Sequence, residues 1–144
     1  MACSLPMSHT DRILRALLAV CALSGCDVST APAAPPALSP EAVFTRDAPA
    51  GQVFQGHLAG APAHFLVHDC EVFQVEYRAG SEVRWTSVLK PDPYPFWTSC
   101  ERQSLSFDGT ALTATLGRRA FGAGGCCATG GTYRTVDGRR WKKV

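Results

Sequence analysis

From Glu71 onward the chain alternates apolar and polar residues with a period of two, broken at intervals by turn-forming residues. Phe73, Val75 and Tyr77 fall on one face, and Gln74, Glu76 and Arg78 on the other. That period belongs to a half-buried strand, because successive side chains of a strand point to opposite sides. Ala79-Gly80-Ser81 turns the chain, and Val83, Trp85, Ser87 and Leu89 continue the pattern as the second arm of a hairpin. Leu105 and Phe107, then Asp108-Gly109, then Leu112, Ala114 and Leu116 read as a second hairpin with a two-residue turn. Tyr133 to Val136, Asp137-Gly138, and Arg139 to Val144 read as a third. Upstream, Gln52 to Leu58 and Ala63 to His68 are further strands, and after residue 40 only a short turn near Pro40 to Phe44 suggests helix. The pattern predicts an all-β domain: a small antiparallel sandwich or barrel of seven or eight strands.

The N-terminal part has a different character. Arg12 and Arg15 precede the apolar run Ala16 to Leu23, which is too short to span a bilayer but suits the apolar region of a secretory signal peptide. The run ends in Leu23-Ser24-Gly25-Cys26. This resembles the lipobox of bacterial lipoproteins, in which the cysteine thiol is acylated and the preceding peptide bond is cut. The resemblance implies that residues 1–25 are a signal peptide and that Cys26 carries the lipid. The membrane partner is then the lipid anchor alone, with the chain in the bacterial envelope facing the periplasm. Asp27 resembles the signal that retains such proteins in the inner membrane, and Val28 does not reinforce it, so inner and outer membrane both stay open. Residues 26–40 hold four prolines among small residues and read as an extended tether, leaving 41–144 as the folded domain.

Cysteine usage fits an exported domain. Outside the leader and Cys26 there remain Cys70, Cys100, Cys126 and Cys127, an even number that predicts two disulfides in an oxidising compartment. Neighbouring cysteines hold their Cα atoms about 3.8 Å apart, shorter than a disulfide prefers. The expectation is therefore that Cys70 and Cys100 each pair with one member of the Cys126-Cys127 dipeptide. A redox or ligand-sensing pair at Cys126-Cys127 is the alternative, without a Cys-x-x-Cys motif to support it.

No catalytic constellation stands out, and the expectation is a protein that is not an enzyme. The sequence contains no Gly-x-Ser-x-Gly, His-Glu-x-x-His, phosphate loop or Gly-x-Gly-x-x-Gly motif. His57, His64 and His68 raise the question of a metal. In a strand, His64 and His68 share a face about 13 Å apart at ~3.3 Å per residue, too far for one ion, with Leu66 between them. No metal and no cofactor are expected. A formal net charge of +2 gives no case for nucleic acid.

Two features point to a protein partner instead. Residues 41–117 carry a net charge of −4 and residues from 118 onward +6, with Arg118, Arg119, Arg139 and Arg140 in the basic part. Such asymmetry steers oppositely charged partners, though lysine and arginine also guard an edge hairpin against aggregation. The segment Lys90-Pro91-Asp92-Pro93-Tyr94-Pro95-Phe96-Trp97 interleaves three prolines with Tyr94, Phe96 and Trp97. It either displays aromatic area from a stiff loop, as binding hot spots do, or plugs one end of the core with Phe96 and Trp97.

Two further resemblances bear on function. Thr135-Val136-Asp137-Gly138-Arg139-Arg140-Trp141 resembles the Asp-box of sialidase-like propellers, with Asp and Gly adjacent where that family separates them. One such hairpin makes no propeller and implies no glycosidase; it reads as turn chemistry, in which Asp137 caps, Gly138 takes positive φ and Trp141 packs across. The overall plan, a tethered and disulfide-stapled β domain, is similar to lipoprotein lysozyme inhibitors and immunity lipoproteins. That likeness implies a protein partner such as a periplasmic cell-wall hydrolase or a secreted effector. The alternative is a structural accessory lipoprotein of an envelope or secretion assembly.

Overall fold

The computed structural model describes residues 37–122 and 126–144, with the side chain of Cys126 outside that set. The leader, Cys26 and most of the tether therefore lie outside the described residues. Among the described residues eight strands form two antiparallel sheets of four, each a simple meander and neither closed into a barrel. The first comprises β1 (Val53–Leu58), β2 (Ala61–His68), β3 (Glu71–Tyr77) and β4 (Val83–Leu89). The second comprises β5 (Thr98–Phe107), β6 (Leu112–Ala120), β7 (Cys126–Thr135) and β8 (Lys142–Lys143).

The core lies between the sheets. Leu58, Phe65, Val67 and Val72 from the first meet Leu105, Leu112, Ala114 and Leu116 from the second. The alternation of β3 holds, with one correction in its partner strand. A bulge pairs Val72 with Leu89 but Phe73 with Ser87, so Leu89 turns to the intersheet core and leaves the face of Trp85.

The other face of the first sheet is apolar too, and a helix covers it. Pro40–Asp47 forms α1, longer than the short turn expected. Eight residues do not hold a helix in water alone. Here Ser39 Oγ caps the Ala42 amide at 3.2 Å, and Glu82 on the β3–β4 turn accepts from both Ser39 N (2.9 Å) and Ser39 Oγ (2.5 Å). Phe44 packs on His68 and Trp85, and Trp85 Nε1 donates to Thr45 Oγ1 at 2.9 Å. Ser39 and Pro40 thus start the helix.

The turns show which local rules hold. Ala79–Ser81 turns as expected, with Gly80 at φ 70°. The second hairpin needs four residues, 108–111, where two were expected, because Asp108 Oδ1 accepts from the amides of both Thr110 (2.9 Å) and Ala111 (2.8 Å). In the third, Asp137 Oδ1 accepts from the amides of Arg139 and Arg140, both at 2.9 Å, while Thr135 Oγ1 accepts from Gly138 N. Gly138 is buried at φ 72°, and a Cβ there would lie 2.5 Å from the Phe65 ring. Trp141 packs edge-on to the same ring.

One disulfide is described, and it corrects the expected pairing. Cys70 in the β2–β3 turn bonds Cys100 in β5, with Cα atoms 5.4 Å apart, in place of two cross-links from Cys70 and Cys100 to Cys126 and Cys127. The reason is strand order. Strand β6 lies between β5 and β7, so Cys100 and the cysteine pair are separated by two strand spacings, about 9–10 Å, beyond disulfide reach.

Two outcomes follow from the Asp137 turn. Gly138→Ala meets both a disfavoured φ and the Phe65 ring, and costs about 2–4 kcal/mol in urea unfolding. The amides of Arg140 and Arg139 hold the Asp137 carboxyl well below the usual carboxylate range. Its contribution is complete above the unfolded pKa and is lost as pH falls through the folded one. The thermal midpoint therefore drops on acidification below about pH 4, and drops less in Asp137→Asn, as followed by circular dichroism from pH 7 to pH 2.

Candidate protein-binding surface

The segment joining the two sheets is built to stand out from them. Pro91 is buried and Lys90 Nζ reaches Glu71 at 3.1 Å, which fixes the start of the loop. Its far end enters β5 at Thr98, two residues before Cys100, so the disulfide fixes the exit. Between these points Tyr94 and Phe96 meet edge to face, with ring centroids 5.9 Å apart. Phe96 is 70% exposed and Trp97 87% exposed, so neither ring plugs the core.

A fourth aromatic belongs with them. The Phe121 amide donates to the Trp97 carbonyl at 3.1 Å, extending the β5–β6 ladder by one step, and Phe121 is 66% exposed. Sequence reasoning missed it, because a lone Phe at the end of a strand reads as core. Its signal was Gly122 directly behind it, which ends the strand and leaves Phe121 at the tip.

The basic residues divide. Arg118 and Arg119 sit near this aromatic end, opposite Cys100 and Ser99 in the ladder. Both are engaged: Arg118 with the carbonyl and carboxylate of Asp69, and Arg119 with Glu101 at 2.7 Å. Arg134 likewise pairs with Asp108. Arg139 and Arg140 lie on the turn after β7, whose end pairs with the start of β6. The aromatic end and this basic turn are thus at opposite ends of the second sheet, about 26 Å apart along β6 at ~3.3 Å per residue. The structure brings Tyr94, Phe96, Trp97, Arg118 and Arg119 to one end, and leaves Arg139 and Arg140 at the other.

The histidines are dispersed. His64 and His68 share the outer face of β2 with the fully buried Leu66 between them. His68 packs on Phe44 and Trp85, while His64 lies against Tyr77 and is held below its ordinary pKa by burial. Among the described residues no group of three or more His, Cys, Asp or Glu is placed to hold a metal ion. No helix among them is long and apolar enough to cross a membrane.

Comparison with protein-family models, with curated proteins and with solved structures finds no match. The aromatic end therefore has to be judged on its own chemistry. It offers apolar rings and two arginines already occupied by carboxylates, an arrangement suited to burying surface against another molecule.

Exposed rings contribute little to folding. Phe96→Ala and Trp97→Ala should each shift the unfolding free energy by less than about 0.5 kcal/mol in urea titration, the range of ordinary surface changes.

Proposed function

We propose that this chain is a bacterial envelope lipoprotein, acylated at Cys26 and facing the periplasm, whose β domain binds a protein partner through its aromatic end. The partner class that fits the plan is a cell-wall hydrolase or a secreted effector, which makes the chain an inhibitor or immunity protein. The observation that carries the reading is the exposure of Phe96 and Trp97 on a proline-stiffened loop fastened at both ends. Free monomers seldom hold such rings in water, and a stiff loop loses little entropy when it docks. Arg118 and Arg119, each half of an ion pair, suit the polar rim of such a surface better than its centre.

The test uses the lipidated chain, retrieved from envelope membranes together with whatever it binds, and a peptidoglycan-clearing assay on the retrieved material. The expected result is a soluble hydrolase whose activity falls when the chain is added, with inhibition weakened about tenfold or more by Trp97→Ala, as for a hot-spot residue. Retrieval of integral-membrane assembly components alone, unaffected by Trp97→Ala, would shift the assignment to a structural accessory lipoprotein.

A further inference from the structure

A separate feature lies where the second sheet is incomplete. Strand β8 has only two residues and pairs with β7 at Tyr133 and Arg134, with one further bond from Val144 N to the Thr132 carbonyl at 2.9 Å, so among the described residues the part of β7 before Thr132 forms an open rim. Along that rim is a cavity of about 380 Å³, within the size range of small-molecule sites, whose lining includes Asp92, Arg102, Thr129, Tyr133 and Lys143. The Lys143 stem lies over Gly131, where a Cβ would come within 2.5 Å of Cε, so the glycine lets the lysine lie across the strand.

The charged side chains lining this cavity make no ion pair among the described residues. Most arginines among the described residues have a carboxylate within 4.0 Å. Arg102 and Lys143 have none among the described residues, and Asp92, in the same cavity, has no cation within that distance among them. Arg102 Nη2 donates at 3.2 Å to Cys127 Sγ, a weak acceptor that leaves most of the guanidinium fork unused. Thr129 Oγ1 is buried without a hydrogen-bond partner. Burial, with Asp92 nearby, raises the Tyr133 phenol above its ordinary pKa, so it remains a donor.

The lining thus carries donors, on Arg102, Lys143, Thr129 and Tyr133, together with the carboxylate of Asp92. A simple anion would be repelled by Asp92, and a simple cation by Arg102 and Lys143. A molecule carrying both charges satisfies all three, and a guanidinium fork is well matched to a carboxylate. We infer that this cavity binds a small zwitterion with a free carboxylate and a free ammonium, as in a free amino acid or a short peptide. Arg102 and Lys143 take the carboxylate, Thr129 and Tyr133 add hydrogen bonds, and Asp92 takes the ammonium. The site does not depend on the protein-binding role proposed above.

The experiment is a titration of the isotopically labelled full chain, following the backbone amide signals of Thr129 to Tyr133. The probes are alanine and alanyl-alanine in both chiralities, together with N-acetyl-alanyl-alanine and alanyl-alanine amide. The expected result is a saturable shift with at least one unblocked compound, weakened about tenfold or more when either end is blocked. Response to alanine alone assigns a free amino acid, and response to the dipeptide assigns a peptide. Arg102→Gln and Asp92→Asn should each weaken the same ligand to a similar degree. Absence of any saturable shift up to about 10 mM, or equal binding of the blocked compounds, would overturn the inference.

Discussion

The turn at Asp69 and Cys70 holds two residues in the left-handed region, at φ 45° and 56°, with no glycine to make that easy. Each such residue costs on the order of 1 kcal/mol or more and persists only where its surroundings hold it. The tight β2–β3 hairpin, in which His68 pairs with Glu71, demands that conformation, and groups from the opposite sheet hold it. Cys100 bonds the Cys70 sulfur, Gln103 Oε1 accepts from the Cys70 amide at 2.9 Å, and Arg118 holds the Asp69 carbonyl and carboxylate. Cys70 is fully buried at this junction. A cross-link between residues 30 apart also removes about 3–4 kcal/mol of freedom from the unfolded chain in the loop-entropy account. Two meanders that share no strand are thereby fastened at one point, and the hydrophobic core fills in around it.

What that fastening does for function is geometric. The aromatic loop leaves the first sheet at Lys90 and enters the second two residues before Cys100. Both ends are therefore tied to the same junction, and the exposed rings stand on a fixed base. The same junction uses charge that the sequence alone suggests is free for steering. Arg118 and Arg119 contribute to the +6 of the C-terminal part, yet their partners Asp69 and Glu101 come from the acidic part. Much of the asymmetry along the chain is cancelled in space. Exposed pairs of this kind stabilise little; Arg118–Asp69 spans the two sheets, while Arg119–Glu101 lies within the β5–β6 ladder.

The strands were legible because period-two alternation is a direct record of a half-buried sheet. Phe73, Val75 and Tyr77 share a face as read, and Gly80 and Gly138 sit where the turns require positive φ. What escaped depended on contacts distant in sequence. Helix α1 owes its existence to Glu82 and Trp85, more than thirty residues away. The disulfide followed strand order, which cysteine parity does not encode, and Leu89 changed face because of a bulge that no residue type announces. The turn at Asp69-Cys70 was not read as a left-handed pair, since Asp tolerates that region but Cys does not mark it, and the two-residue loop exists only once His68 pairs with Glu71. Of the candidate site, the loop was legible from its prolines and aromatics. Phe121 was not, because its place beside Trp97 exists only once β5 and β6 pair.

The pairing of Cys70 with Cys100 tests this account most directly. Proteolysis of the exported chain without reduction, followed by mass spectrometry of the linked peptides, reads it in one measurement. The account predicts a peptide pair joined through Cys70 and Cys100. A bond from either of these residues to Cys126 or Cys127 would contradict it, since the two sheets would then be fastened through β7 and the aromatic loop would lose its fixed base.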